Sequence, residues 1–308
     1  MTSSFSGIGN TGWTPPDPSM AAGPNYVVET VNQSLAVFNK ATGANVSQET
    51  LQTLFSGFAT GGVNDPGMFD PSVLYDDVAG RFAVAVQVKD STNDKAYVDF
   101  AVSNSSDATQ GFTQKYQIEV DEGGKYWIDN GKFGFNADGY VFTGNLYSFA
   151  YGNSNTGLVL TVNKNALLNN NTLTDYLVNF SNNGAFPYGF SMIPARMHGS
   201  TAGGPMWFVQ TDFAGANYVL VTRMDNVLSS APTFTTFSVT VNSYGPTASG
   251  VQPGGTIDPG DSSRRTSSGA RRRKSWPMAW NWFGSFAPMV LPSKSTNSRS
   301  CSLRNSSE

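Results

Sequence analysis

The stretch "PSVLYDDVAGRFAVAVQV", Pro71 to Val88, reads as two strands folded back on a turn. Val73 to Tyr75 and Phe82 to Val88 are rich in β-branched and aromatic residues, and Asp76 to Gly80 between them supplies turn chemistry. Similar units lie on both sides. "NYVVETVN" (Asn25 to Asn32) leads into "SLAVFNKATGANVS", which turns at Asn39 to Gly43. "AYVDFAVS" (Ala96 to Ser103) and "TQKYQIEV" extend the central hairpin into a group of four strands.

The rhythm continues with "YWIDNGKFGFNADGYVFTGNLYSF", turning at Asn136 to Gly139, and "GLVLTVNKNAL". "PMWFVQTDFAGANYVLVTRMDN" turns at Asp212 to Gly215, and "FTTFSVTV" follows. Short helices are expected only around Gln48 to Phe58 and Lys164 to Leu168. Groups of strands recur roughly every 50 residues, the size of a four-stranded propeller blade. An antiparallel sandwich shares that periodicity; the propeller is the reading preferred here.

Composition agrees with an all-β chain. Of 308 residues, 39% are hydrophobic and only 13% charged, with 21 Phe and 12 Tyr. The polar character comes from Asn, Ser, Thr, Gly and Asp, which suit tight turns better than helices. Cys301 is the only cysteine, which excludes an intramolecular disulfide and a cysteine zinc site. The N-terminus "MTSSFSGIGNTGW" has neither the basic nor the apolar region of a signal peptide. No apolar run is long enough to cross a bilayer, so no membrane insertion is expected.

Charge divides the chain. Residues 1–261 hold ten Lys and Arg against 21 Asp and Glu, whereas residues 262–308 hold nine against Glu308 alone. The stretch "SRRTSSGARRRKSWPMAWNWFGSF" could be a nucleic-acid arm, with arginines on phosphates and tryptophans stacking on bases. Its scattered Pro and Ser and its loss of alternation are those of unselected or out-of-frame sequence, the reading adopted here, and no nucleic-acid partner is expected. The expected organisation is a propeller domain over 1–261 and a basic tail over 262–308.

Several motifs resemble a family of exported bacterial β-propeller proteins. "TPPDPSMAAGPNYVVETVNQSLAVFNKATG" is similar to the family's PPD and A-x-GPN-x-YV-x-x-VN opening, and "FDPSVLYDDVAGRFAVA" to its DP-x-V-x-YD-x-x-x-x-R-[FW] hairpin. "AVSNSSDATQGFTQKYQIEV", "YWIDNGKFGFNADGYVFTGN" and "IPARMHGSTAGGPMWFV" resemble later segments, and the match runs in register over residues 12 to 261. The resemblance implies a propeller fold, export and an extracellular or cell-surface location. Relatives continue with strands that complete the ring, so this chain is expected to hold about five blades of a six- or seven-bladed parent.

Candidate chemistry is sparse. His198 is the only histidine, stands in a Gly-rich loop and has no G-x-S-x-G serine to serve, so a surface-loop role is expected. A sialidase would need three arginines around a carboxylate; Arg81, Arg196 and Arg223 are the three outside the tail, but the S-x-D-x-G-x-T-W turn is absent. Asp65, Asp70, Asp76, Asp77 and Asp94 could hold Ca²⁺ through their oxygens, yet no D-x-[DN]-x-[DN]-G loop appears, and turn formation is the role expected. No other cofactor is expected.

The remaining set is positional. Asp17 in "PPD", Asp70 in "FDP", Asp129 in "WID" and Asn145 in "TGN" stand near expected inner-strand ends, and Arg196 replaces an acid of the relatives. Inner strands converge on the central channel, so these groups could share one ligand-binding mouth; each could instead brace its own turn. The expectation is a non-catalytic module for a glycan or surface protein, with a sialidase-like glycoside hydrolase or a polysaccharide lyase as the alternative.

Overall fold

The computed structural model describes residues 4–63, 65–152, 156–169, 175–180, 191–212 and 215–245. Their strands form four sheets of four, each a meander in chain order. The first sheet comprises β1 (Ser19–Ala22), β2 (Tyr26–Val31), β3 (Ser34–Asn39) and β4 (Asn45–Thr50). The second comprises β5 (Met68–Asp76), β6 (Arg81–Asp90), β7 (Lys95–Val102) and β8 (Gln114–Glu119). The third is β9 (Tyr126–Phe135), β10 (Gly139–Ser148), β11 (Thr156–Asn163) and β12 (Asp175–Phe180). The fourth is β13 (Ile193–Pro194), β14 (Met206–Gln210), β15 (Ala216–Asp225) and β16 (Thr233–Tyr244).

Two observations make these sheets propeller blades. The first strands of successive sheets pack on one another, β1 on β5, β5 on β9 and β9 on β13, and a parallel bridge joins Phe135 to Arg196 just past β13. The sheets also stack face to face in chain order. Val28, Leu35 and Val37 of the first pack on Phe82, Val84, Val86 and Val88 of β6. Ala83 and Ala85, on the other side of β6, pack with Phe133, Tyr140 and Phe142 of the third sheet. Val141 and Val159 then meet Met206, Phe208 and Met224 of the fourth.

A strand between two sheets is apolar on both faces, which is why "FAVAVQV" reads as a continuous run rather than an alternation. Asp76 and Asn residues set the hairpin registers. Asp76 Oδ1 accepts the N–H groups of Val78 (3.1 Å) and Ala79 (3.2 Å), and Gly80 takes a φ of 64° before β6. Asn39 does the same for Ala41 and Thr42, and Asn136 for Asp138 and Gly139.

The helix expected over Gln48 to Phe58 is only α1, Leu51–Leu54. Residues 45–50 instead pair as an exposed edge strand on β3, whose polar sequence "NVSQET" carries little strand signal. Thr50 ends the strand and caps the helix, accepting the Thr53 N–H at 3.0 Å. The expected helix at Lys164–Leu168 is α2. On the outer face of the first sheet, Phe5 packs against Phe38 and Ile8 against a cluster of Val27, Ala36 and Phe38. On the outer face of the fourth, Phe237, Val239 and Val241 are exposed among the described residues. Four blades stand against the five or so expected, and residues 246–308, including the tail from Ser262, lie outside the described residues.

The second and third blades are also tied by a buried ion pair. Lys164 Nζ lies 2.6 Å from Asp76 Oδ2, to which the Tyr140 hydroxyl donates at 3.0 Å. Lys164 also donates to the Asn136 carbonyl at 2.6 Å. Removing one partner strands the other charge without water. Lys164→Met is therefore expected to cost about 3–5 kcal/mol in urea unfolding; a loss well under 1 kcal/mol would contradict the assignment.

Candidate functional site

Four polar residues break the inner strands in the same way. Asp17 (φ 45°), Asp70 (47°), Asn130 (56°) and Ser191 (58°) have left-handed backbones, one in or just before each inner strand. Asp and Asn adopt this conformation more readily than other non-glycine residues. At Asp70 and Asn130 it accompanies irregularities in pairing, between Phe69 and Ser72 on β5 and between Thr143 and Asn145 opposite β9.

The register shows that these positions are equivalent. The residue two places after each, Ser19, Ser72, Lys132 and Ile193, pairs with Thr30, Ala85, Thr143 and Val209 respectively. Two places beyond those partners stand Asn32, Gln87, Asn145 and Thr211. Three blades thus carry a side-chain amide beside the left-handed residue, and two of these amides reach the next blade. Asn32 Oδ1 accepts the Asp70 N–H at 2.8 Å, and Asn145 Oδ1 accepts the Ser191 N–H at 2.6 Å.

This collar gathers three carboxylates. Asp70 lies close enough to both Asp17 and Asp129 for its charge to raise their pKa values. Asn32 Nδ2 holds Asp17 Oδ2 at 2.7 Å. The Asn130 N–H is shared between Asp129 Oδ1 (2.7 Å) and Asp70 Oδ2 (3.1 Å). Lys132 Nζ donates to Asn130 Oδ1 at 2.7 Å and adds a positive charge. All five of Asp17, Asp70, Asp129, Asn130 and Lys132 are half-buried, so the mouth retains access to solvent.

Crowded carboxyls in partial burial resist ionisation. Burial, followed by the charge of Asp70 and a hydrogen bond with it, pushes Asp17 up to about 7. Burial and the same neighbour push Asp129 up to about 7. Burial pulls Lys132 below the usual lysine range, against the attraction of the three carboxylates. Near neutral pH the mouth therefore presents carboxylate acceptors together with carboxyl, lysine and amide donors.

The structure thus brings Asp17, Asp70 and Asp129 into one cluster and puts Asn145 at the next step of the collar, buried against Ser191. Arg196 is elsewhere: its Nη2 donates to the Val73 carbonyl at 3.1 Å, three residues along β5 from Asp70, and burial lowers its pKa. The three arginines considered for a sialidase are engaged separately, Arg81 with the Gly80 carbonyl and Arg223 with Asp225. His198 is exposed and lies 2.9 Å from Asp77. Asp65 bonds Ser91 and Asp76 bonds Lys164. Among the described residues no group of three or more His, Cys, Asp and Glu has the arrangement to hold a metal ion.

Asn32, Gln87, Asn130 and Lys132 were not singled out from the sequence. A signal exists: "DPS" occurs at both Asp17 and Asp70, and an amide residue follows Asp17, Asp70 and Asn130 by 15, 17 and 15 positions.

No family model and no curated protein matches the chain. Among solved structures, the GH43 endo-arabinanase from Bacillus licheniformis aligns at 10% identity and a TM-score of 0.28, over 72% of this chain and 92% of that one. The Cps50 (Swd1) β-propeller domain of Myceliophteria thermophila aligns at 8% identity and a TM-score of 0.24, over 72% of this chain and 83% of that one. The assignment of a propeller rests on the sheet order and stacking described above.

Proton linkage checks the cluster. A carboxyl whose pKa rises on folding binds more protons folded than unfolded between about 4 and 7, so its contribution falls as pH climbs through that window. Asp70→Asn keeps a residue that tolerates φ 47° and removes the central charge. The melting temperature of this variant relative to the wild type is expected to rise between pH 5 and pH 8; a constant or falling difference would contradict the cluster.

Proposed function

We propose that this chain is a propeller module, exported from a bacterial cell, that binds a glycan at the mouth formed by Asp17, Asp70, Asp129, Asn130 and Lys132. The observation that carries the reading is the convergence of three carboxylates from three successive blades beside an amide and an ammonium. Sugar hydroxyls donate and accept at once, and a half-buried site with both kinds of partner suits them. Export and bacterial origin are supported by the motifs of the "PPD" and "FDP" segments.

The alternative reading is glycoside hydrolysis, favoured by one observation. Asp17 and Asp129 both sit at about 7, where a carboxyl can donate a proton near neutral pH. Hydrolysis would employ one such acid with a neighbouring carboxylate across the scissile bond.

An array of soluble bacterial and plant oligosaccharides, probed at pH 7 with the wild type, Asp70→Ala and Asp129→Asn, separates these readings. Binding without release of reducing ends, weakened roughly ten- to a hundredfold by either change, is the expected result. Release of reducing ends that Asp129→Asn abolishes would establish the hydrolase instead. Absence of binding, or binding indifferent to both changes, would overturn the proposal.

A further inference from the structure

One member of the collar is out of step. Gln87 occupies in the second blade the position that Asn32 holds in the first and Asn145 in the third. It is fully buried, and neither its Nε2 nor its Oε1 has a hydrogen-bond partner. Strand alternation puts its side chain on the face of β6 shared with Ala83 and Ala85, toward the third blade. A Cβ placed on Gly131, between Asn130 and Lys132, would lie 3.1 Å from the Gln87 carboxamide carbon and 2.1 Å from Phe142 Cζ. The glycine thus lets an unpaired amide press against the backbone that carries the mouth.

By the pattern of the other blades, the group that Gln87 should meet is the Asn130 N–H. That N–H is taken by Asp70 and Asp129. An orphaned buried amide costs free energy, so any event that weakens those carboxylates as acceptors favours transfer of the N–H to Gln87. Binding of a proton or of a sugar hydroxyl is such an event.

We propose that Gln87 is a positioning residue of the mouth: when a ligand hydroxyl engages Asp70 and Asp129, the Gln87 carboxamide accepts the Asn130 N–H that those carboxylates hold in the free protein. The exchange reshapes the mouth from beneath, without Gln87 touching the ligand. It rests on the reading of the mouth as a glycan site, but protons drive the same exchange and allow it to be examined without a glycan. The charged groups facing Asn130 are Asp17 ahead of β1, Asp70 on β5, and Asp129 and Lys132 on β9 itself.

The experiment follows the backbone amide of Asn130 and the side-chain amide of Gln87 by ¹⁵N NMR of the whole chain from pH 5 to pH 9. In the wild type both are expected to shift about one midpoint. Gln87→Leu removes the acceptor that receives the N–H in the protonated state, and should lower the Asn130 midpoint. Gln87→Asn has the reach of Asn32 and Asn145 and should hold the N–H throughout, which deprives the carboxylates of a donor and raises the midpoint. Each shift is expected to be roughly half to one pH unit.

A role confined to packing would alter stability but would not move the midpoint in opposite directions. A stationary Gln87 side chain while Asn130 titrates, or two variants that leave the midpoint in place or move it the same way, would overturn the proposal. Glycan binding is measured separately, so its failure would refute the mouth as a sugar site while leaving the titration result intact.

Discussion

The face-to-face burial of each sheet against the next is the constraint on which the other features depend. On β6, Phe82 and three valines fill the side toward the first blade, whereas Ala83 and Ala85 leave room for Phe133 and Phe142 of the third. That large-against-small match fixes the spacing between blades and so the position of each inner strand. With the inner strands packed side by side, residues distant in sequence meet at one end: Asp17, Asp70 and Asp129 come from three different blades. At the other end of β5, the same packing encloses Asp76 with Lys164 and Tyr140.

The collar solves a backbone problem before it serves any ligand. A left-handed residue stands in or just before the inner strand of each blade, and in the second, third and fourth blades its N–H is taken by side chains. Asn32 and Asn145 answer for Asp70 and Ser191 by reaching across the blade boundary. Asn130 is answered by carboxylates instead, and this substitution assembles the acidic cluster. Structural bracing and the proposed ligand mouth are therefore one arrangement, in which the step between the second and third blades is the one proposed to change partners.

Much of this was legible in the sequence because turns and strands are local. "DDVAG" announces a turn, and the apolar run after it announces a strand buried on both faces. Asp17, Asp70 and Asp129 were recognisable from their motifs near inner-strand ends. Other parts were not. β4 is an edge strand of polar residues, and β13 has only two residues, so neither carries an apolar pattern. Gln87 looks like one polar interruption in a valine run; its meaning emerges only when register places it beside Asn32 and Asn145. Arg196 was a candidate for the same mouth by its motif, but the chain past β13 takes its guanidinium to the Val73 carbonyl.

The central claim is that three carboxyl groups separated by more than fifty residues each share one proton network at the mouth. The most direct measurement is a ¹³C titration of the side-chain carboxyl carbons of Asp17 and Asp129 in the wild-type chain and in Asp70→Asn. The predicted result is that Asp17 and Asp129 both titrate near neutral pH in the wild type and that both midpoints fall when the Asp70 charge is removed. Two simple curves with midpoints close to 4, unmoved by Asp70→Asn, would contradict it.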